Sequence, residues 1–138
     1  KFSKNSFIDK NKEKNLSNSL VDSFKVKTQS SESKVSDLSG GNQQKVVFAK
    51  WYAINPEILI LDEPTKGVDV GAKREIYDLI KDLTKKGVSI ILISSDLPEL
   101  LSLSNRIYVI YEGKMQGEIS SDNASQEKVM TLATGGKI

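Results

Sequence analysis

The chain has 138 residues, with 20 Lys and Arg against 18 Asp and Glu and 38% hydrophobic residues, a length and balance suited to one compact domain. It holds no cysteine and no histidine, which excludes disulfides, thiol nucleophiles, thiolate or imidazole metal sites and histidine acid–base chemistry. The apolar runs Ile58–Leu61 and Ile90–Ile93 fall far short of the roughly 20 residues a membrane helix needs. The first residues also lack the apolar core of a signal peptide, so the sequence reads as a soluble, cytoplasmic domain.

Charge is uneven along the chain. Residues 1–34 carry eight Lys and four acids, a net of +4, and residues 35–138 carry 12 basic and 14 acidic residues, a net of −2. The lysines are scattered among Asn and Ser, with only Phe2, Phe7 and Phe24 as aromatics. That pattern reads as a solvated surface and predicts no nucleic-acid partner.

Residues 1–11 read as a polar entry segment. From Lys12 to about Phe24, Leu16, Leu20, Val21 and Phe24 recur at helical spacing. Residues 26–37 are Ser-rich and aperiodic, a loop. Gln43–Ile54 is predicted helical, with Ser39 as its N-cap and Asn55-Pro56 as its end. Ile58–Leu61 is a continuous apolar run that predicts a strand buried on both faces, as in a parallel sheet. A helix over Ala72–Lys86 would bury Ile76, Leu79, Ile80 and Leu83 and stop at Gly87. Val88–Ile93 is a second buried strand, followed by a short helix that Asp96 or Ser95 caps and that holds Pro98 in its first turn. Ile107–Tyr111 is a third strand. Glu112-Gly113-Lys114 turns it back into Met115–Ser120 as a hairpin, and a last helix covers about Ser125–Ala133. Trp51 is expected in the core, and Met115 and Met130 are expected to be packing residues. The alternation of helices and strands predicts an α/β fold with a mainly parallel sheet.

Two segments carry chemistry. In Leu38-Ser39-Gly40-Gly41-Asn42-Gln43-Gln44-Lys45, twin glycines after a capping serine let the backbone turn sharply into a helix. The unpaired N–H groups then point from the positive end of the helix dipole, a geometry suited to phosphate oxygens. In Ile58-Leu59-Ile60-Leu61-Asp62-Glu63-Pro64-Thr65, two carboxylates end a buried strand, where α/β sheets place ligands. Asp62 could hold Mg²⁺ through water, and Glu63 could position or deprotonate an attacking water.

Signature and acidic strand within 28 residues resemble the nucleotide-binding domain of ATP-binding-cassette (ABC) proteins. Leu38–Lys45 resembles the family's signature motif, Ile58–Glu63 its Walker B strand, Gly67-Val68-Asp69 its D-loop, and Ser94-Ser95-Asp96-Leu97-Pro98-Glu99 its switch loop. The wording of Asn42–Lys45, Lys66–Lys73 and Ile93–Glu99 is similar to the second cassette of tandem ATPases that drive bacterial import of simple sugars of the ribose and galactoside type. The resemblance implies the C-terminal part of a P-loop NTPase core, with a remnant of the helical subdomain over residues 1–37 and catalytic core over residues 38–138. It also implies ATP and Mg²⁺, and a head-to-tail sandwich with the first cassette of the same polypeptide or a dimer mate. Transmembrane permease subunits follow as partners, a periplasmic or surface sugar-binding protein indirectly, and a peripheral place on the cytoplasmic face of the cell membrane.

In that sandwich Ser39, Gly40, Gly41 and Asn42 would bind nucleotide held by the neighbouring cassette. Asp62 (metal), Glu63 (catalytic), Asp69 (D-loop alignment) and Ser95 (switch position) would serve the sites from their own side. Two departures qualify the resemblance. No Gly-x-x-x-x-Gly-Lys-[Ser/Thr] occurs: the glycine pairs Gly67–Gly71 and Gly113–Gly117 do not continue as that phosphate loop, so the 138 residues alone are expected not to hydrolyse ATP. Ser95 stands where most cassettes place a histidine, and a serine neither carries positive charge nor shuttles a proton near neutrality.

Three rival readings differ in checkable ways. A receiver-domain phosphoacceptor at Asp62 would need an acidic pair after an earlier strand, and no strand is expected before Ile58. A DNA-repair or chromosome-type cassette would carry a long coiled coil before the signature, and residues 1–37 show no sustained heptads. A regulatory cassette whose site never turns over differs in the rate of hydrolysis.

Overall fold

A computed structural model describes residues 3, 4 and 7–138, with side chains described from Asp9 onward. The described residues fall into two compact units. One comprises residues 1–59 and 65–89, the other residues 60–64 and 90–138.

In the first unit, β1 (Ser3–Lys4) and β2 (Phe7–Ile8) pair antiparallel, so two short strands precede Ile58 where none was expected. Helix α1 (Lys10–Ser23) begins at Asp9, whose carboxylate accepts the Lys12 N–H at 3.1 Å. The chain leaves it through Lys25 at φ +50° and buries Phe24 and Val26. A single 3₁₀ turn, Val35–Asp37, interrupts the loop that follows. Helix α2 (Gly40–Tyr52) buries Gly41, Lys45, Phe48 and Ala49, one face at helical spacing. Helix α3 (Val70–Lys85) buries Ile76, Ile80 and Leu83, starts at Asp69 and ends before Gly87 at φ +90°. Phe48, Ile76 and Leu83 are among the largest fully buried side chains; each such burial stabilises by about 1.5–3 kcal/mol.

β3 (Ile58–Asp62) pairs with β4 (Ser89–Ile93). Ser89 donates to the Glu57 carbonyl and Glu63 to the Ile93 carbonyl. Both strands therefore run in the same direction, which makes the pair parallel.

In the second unit, β5 (Arg106–Tyr111) and β6 (Lys114–Ser120) form an antiparallel hairpin with an irregularity between Val109 and Ile110. Its two-residue turn holds Glu112 at φ +48° and Gly113 at φ +73°. Positive φ at both positions matches the right-handed twist of the flanking strands. Ile107, Val109 and Ile119 pack with Val129 and Leu132 of α5 (Gln126–Ala133). Leu97, Leu100 and Leu101 of α4 (Leu97–Leu103) close over them. A Cβ at Gly117 would stand 3.0 Å from the Leu132 side chain, so glycine lets α5 lie close on the hairpin. Pro98 and the Asp96 cap open α4 as expected, and Ser125 caps α5.

Three expectations are corrected. β3 and β4 are not buried on both faces: Ile58 and Ile60 are 60% and 63% exposed while Leu59 and Leu61 are buried. Strand side chains alternate, and among the described residues nothing covers the isoleucine face, which continues in Ile91 and Ile93. Trp51 is half exposed, with the Lys50 ammonium 5.8 Å over its ring; it falls off the buried face of α2. Met115 and Met130 are exposed too, Met115 because the hairpin turns that side of β6 outward. Among the described residues, no helix is long and apolar enough to cross a membrane.

Candidate functional site

The first group lies in the first unit, where α2 begins. Ser39 is extended (φ −61°, ψ 154°) and its carbonyl accepts the Gln43 N–H at 2.9 Å, so it occupies the N-cap position. Its hydroxyl makes no capping bond; instead Oγ accepts from the Asn42 side-chain amide at 2.8 Å. The first-turn N–H groups of Gly40 and Gly41 have no carbonyl within the helix to bond, and Ser39 and Gly40 are exposed. Gly41 is buried, and a Cβ there would come 2.6 Å from the Cβ of Ala72. The absent side chain is what allows the first turns of α2 and α3 to touch. Asp69 caps α3, accepting the Ala72 N–H at 2.9 Å, and thus sits one helix start away from the twin glycines.

Beneath this lip is a charged network that the sequence reading missed. Asn42 Oδ1 accepts the backbone N–H of Lys27 at 2.8 Å. Lys27 Nζ reaches Glu75 Oε1 at 3.1 Å, and Lys45 Nζ, only 4% exposed, bonds Glu75 Oε2 at 2.6 Å and the Lys25 carbonyl at 3.0 Å. The hydrogen bond from Lys45 and then that from Lys27 hold the Glu75 carboxyl below its ordinary value. A signal was present: Lys45 lies four residues after Gly41 and three before Phe48, on the stripe that turns inward.

The second group lies in the second unit. Asp62 is exposed at the C-terminal end of β3. Glu63 follows in the left-handed region at φ +47°, which a non-glycine residue adopts at a cost of about 1 kcal/mol or more. That conformation is held from both ends. The Glu63 N–H donates to the Ile93 carbonyl at 2.8 Å, and Oε1 accepts the Ser95 backbone N–H at 2.9 Å. Ser94 Oγ accepts the Asp96 N–H, and Asp96 accepts the Glu99 N–H. Glu63 and Ser95 are therefore brought together, through the Ser95 backbone, with the adjacent Asp62 on the same strand end. Glu99 is fully buried and neither carboxylate oxygen has a hydrogen-bond partner among the described residues. No group of three or more acidic, His or Cys side chains that could hold a metal occurs among the described residues. A single exposed carboxylate such as Asp62 nonetheless fits Mg²⁺, which keeps most of its waters.

The family model for ABC transporters matches residues 3–66. The ribose import ATP-binding proteins RbsA of Bacillus licheniformis and Bacillus subtilis are each 55% identical over 136 residues, 99% of this chain and 28% of their own length. That of Oceanobacillus iheyensis is 55% identical over 135 residues, 98% of this chain and 27% of its length. Over nearly its whole length the chain is similar to the ATP-binding proteins of ABC transporters. It spans little more than a quarter of these relatives. A metal-chelate type ABC transporter in an inward-facing conformation superposes with a TM-score of 0.75 at 17% identity, over 88% of this chain and 48% of that one. An ATP-binding cassette solved as a dimer with ADP and Pi gives 0.73 at 23%, over 87% and 52%. At such identities the likeness is one of fold, and the α/β cassette architecture is the one expected from the sequence.

Proposed function

We propose that this cassette segment works in the ATP-hydrolysing subunit of an importer for a simple sugar, ribose being the sugar in the names of the relatives above. The reading is supported by one observation above all. At the start of α2 an exposed serine hydroxyl is followed by two glycines whose first-turn N–H groups have no partner within the helix, the kind of donors that a terminal phosphate takes. Ser39, Gly40, Gly41 and Asn42 form the signature lip of a composite ATP site whose nucleotide is held by a neighbouring cassette. Residues 1–37 belong to the helical subdomain and residues 38–138 to the catalytic core. Asp69, at the start of α3, aligns the two cassettes.

Asp62 and Glu63 serve this cassette's own nucleotide. Asp62 would hold Mg²⁺ through water, and the ion would neutralise phosphate charge. Glu63 orients the attacking water and takes its proton. Ser95 offers Glu63 a backbone N–H but no imidazole, so this second site turns over slowly. ATP closes the cassettes because phosphate charge is met only when both faces are present. Hydrolysis removes that attraction, and the opening motion reaches permease subunits at the cytoplasmic side of the membrane. A cassette that binds ATP without hydrolysing it is the second reading, favoured by the serine at position 95.

The test is transport and steady-state ATP hydrolysis by the full-length polypeptide. Ser39→Arg should abolish ribose uptake, and Glu63→Gln should lower it much less. Equal losses would contradict this division of labour, and unchanged hydrolysis with Ser95→His would favour the non-hydrolysing cassette.

A further inference from the structure

We infer that Asn42 is a positioning residue that sets the direction of the Ser39 hydroxyl rather than a ligand of the nucleotide. This rests on the reading of Ser39 as phosphate-facing. A hydroxyl has one hydrogen to donate and two lone pairs to accept with. Asn42 Nδ2 lies 2.8 Å from Ser39 Oγ and has hydrogens only to give, so it fills a lone pair and leaves the Ser39 hydrogen free for an anion.

Which end of the Asn42 amide faces Ser39 is fixed at the opposite end. The Lys27 backbone N–H, 2.8 Å away, is a donor and demands Oδ1. A reversed amide would set two donors against each other at Lys27. The segment that presents this N–H is itself anchored. Lys27 Nζ bonds Glu75 Oε1, and the buried Lys45 bonds both Glu75 Oε2 and the carbonyl of Lys25. Hydrogen-bond direction thus runs one way, from Lys27 through Asn42 to Ser39 and outward. One Nδ2 hydrogen and one Oδ1 lone pair of Asn42 are engaged within the chain, which fixes the amide against Ser39.

Asn42→Asp tests the direction with almost no change of shape. The carboxylate still accepts from Lys27, so the fold is kept, but it can only accept from Ser39 and draws the hydroxyl hydrogen inward. A double-mutant cycle in the full-length polypeptide reads the coupling, with ATP hydrolysis rates and KM for ATP measured for S39A, N42A, N42D and both double variants. Loss of one hydrogen bond to a phosphate should make S39A about 10- to 100-fold slower. N42A should be roughly fivefold slower and N42D slower still. On the S39A background N42A should change the rate by less than about twofold, and N42D should keep only the part of its loss that the added negative charge causes. Thermal melting of N42D should match that of the parent protein. Equal losses from N42A and N42D on both backgrounds would overturn the inference while leaving the signature reading intact. If S39A hydrolyses ATP at the parent rate, the signature reading falls and the inference falls with it.

Discussion

The Glu63 carboxylate accepts the backbone N–H of Ser95 at 2.9 Å. The contact belongs to the main chain of the switch segment, so any residue except proline at position 95 can make it. What the serine fails to supply is a side chain that carries charge near neutrality.

Two substitutions separate these parts. Ser95→His keeps the N–H and adds an imidazole beside Glu63, and should raise ATP hydrolysis at this cassette's own site in the full-length protein. Ser95→Pro deletes the N–H, frees the Glu63 carboxylate and should slow that site by about tenfold or more. Steady-state phosphate release, with the other composite site disabled, checks both.

Gly41 and Ala72 meet where α2 and α3 begin, with room for only one methyl. Gly41→Ala should destabilise the protein by about 1–3 kcal/mol through overpacking. Ala72→Gly should recover much of that loss in the double variant. Urea unfolding of the single and double variants gives the coupling.

Much of this architecture was legible in the sequence, and the exceptions share a cause. α3 announced itself through the Asp69 cap, the Ile76, Ile80 and Leu83 face and the Gly87 stop, all local signals. The hairpin turn at Glu112-Gly113 and the Pro98 start of α4 were equally local. β3 misled because four consecutive apolar residues state nothing about which face finds a cover. Of the candidate site, Ser39, Gly41 and Glu63 were visible as motif residues. Their hydrogen-bond partners were not, because Lys27, Glu75 and Ser95 lie 15 to 48 positions away from the groups they serve and nothing in composition pairs them.

Glu75 gives the protein a predictable acid sensitivity. Lys45 and Lys27 hold its carboxyl below the ordinary value of 4.5, so the folded state favours the charged form. The stabilisation is complete above pH 4.5 and is lost as the pH falls through the lowered value. Melting temperatures of the parent protein and of Glu75→Gln should differ at neutral pH and converge below pH 4.5. A gap that shows no narrowing as the pH falls below 4.5 would show that the difference comes from packing.

Glu99 presents the opposite case, a buried carboxylate with no partner among the described residues. Desolvating an unpaired polar group costs about 1–3 kcal/mol, more when it is charged. Glu99→Met replaces the unpartnered group by an apolar one of similar length and should raise the melting temperature by several degrees. A fall would identify a partner for the carboxylate in the folded protein.

The central claim is that the lip formed by Ser39, Gly40 and Gly41 receives the terminal phosphate of nucleotide bound to a neighbouring cassette. The most direct measurement is a structure of the full-length protein with a non-hydrolysable ATP analogue and Mg²⁺ in both composite sites. Ser39 Oγ should then stand within about 3 Å of a γ-phosphate oxygen of nucleotide held by the other cassette. A closed, nucleotide-filled assembly in which no phosphate oxygen reaches Ser39 would contradict the account.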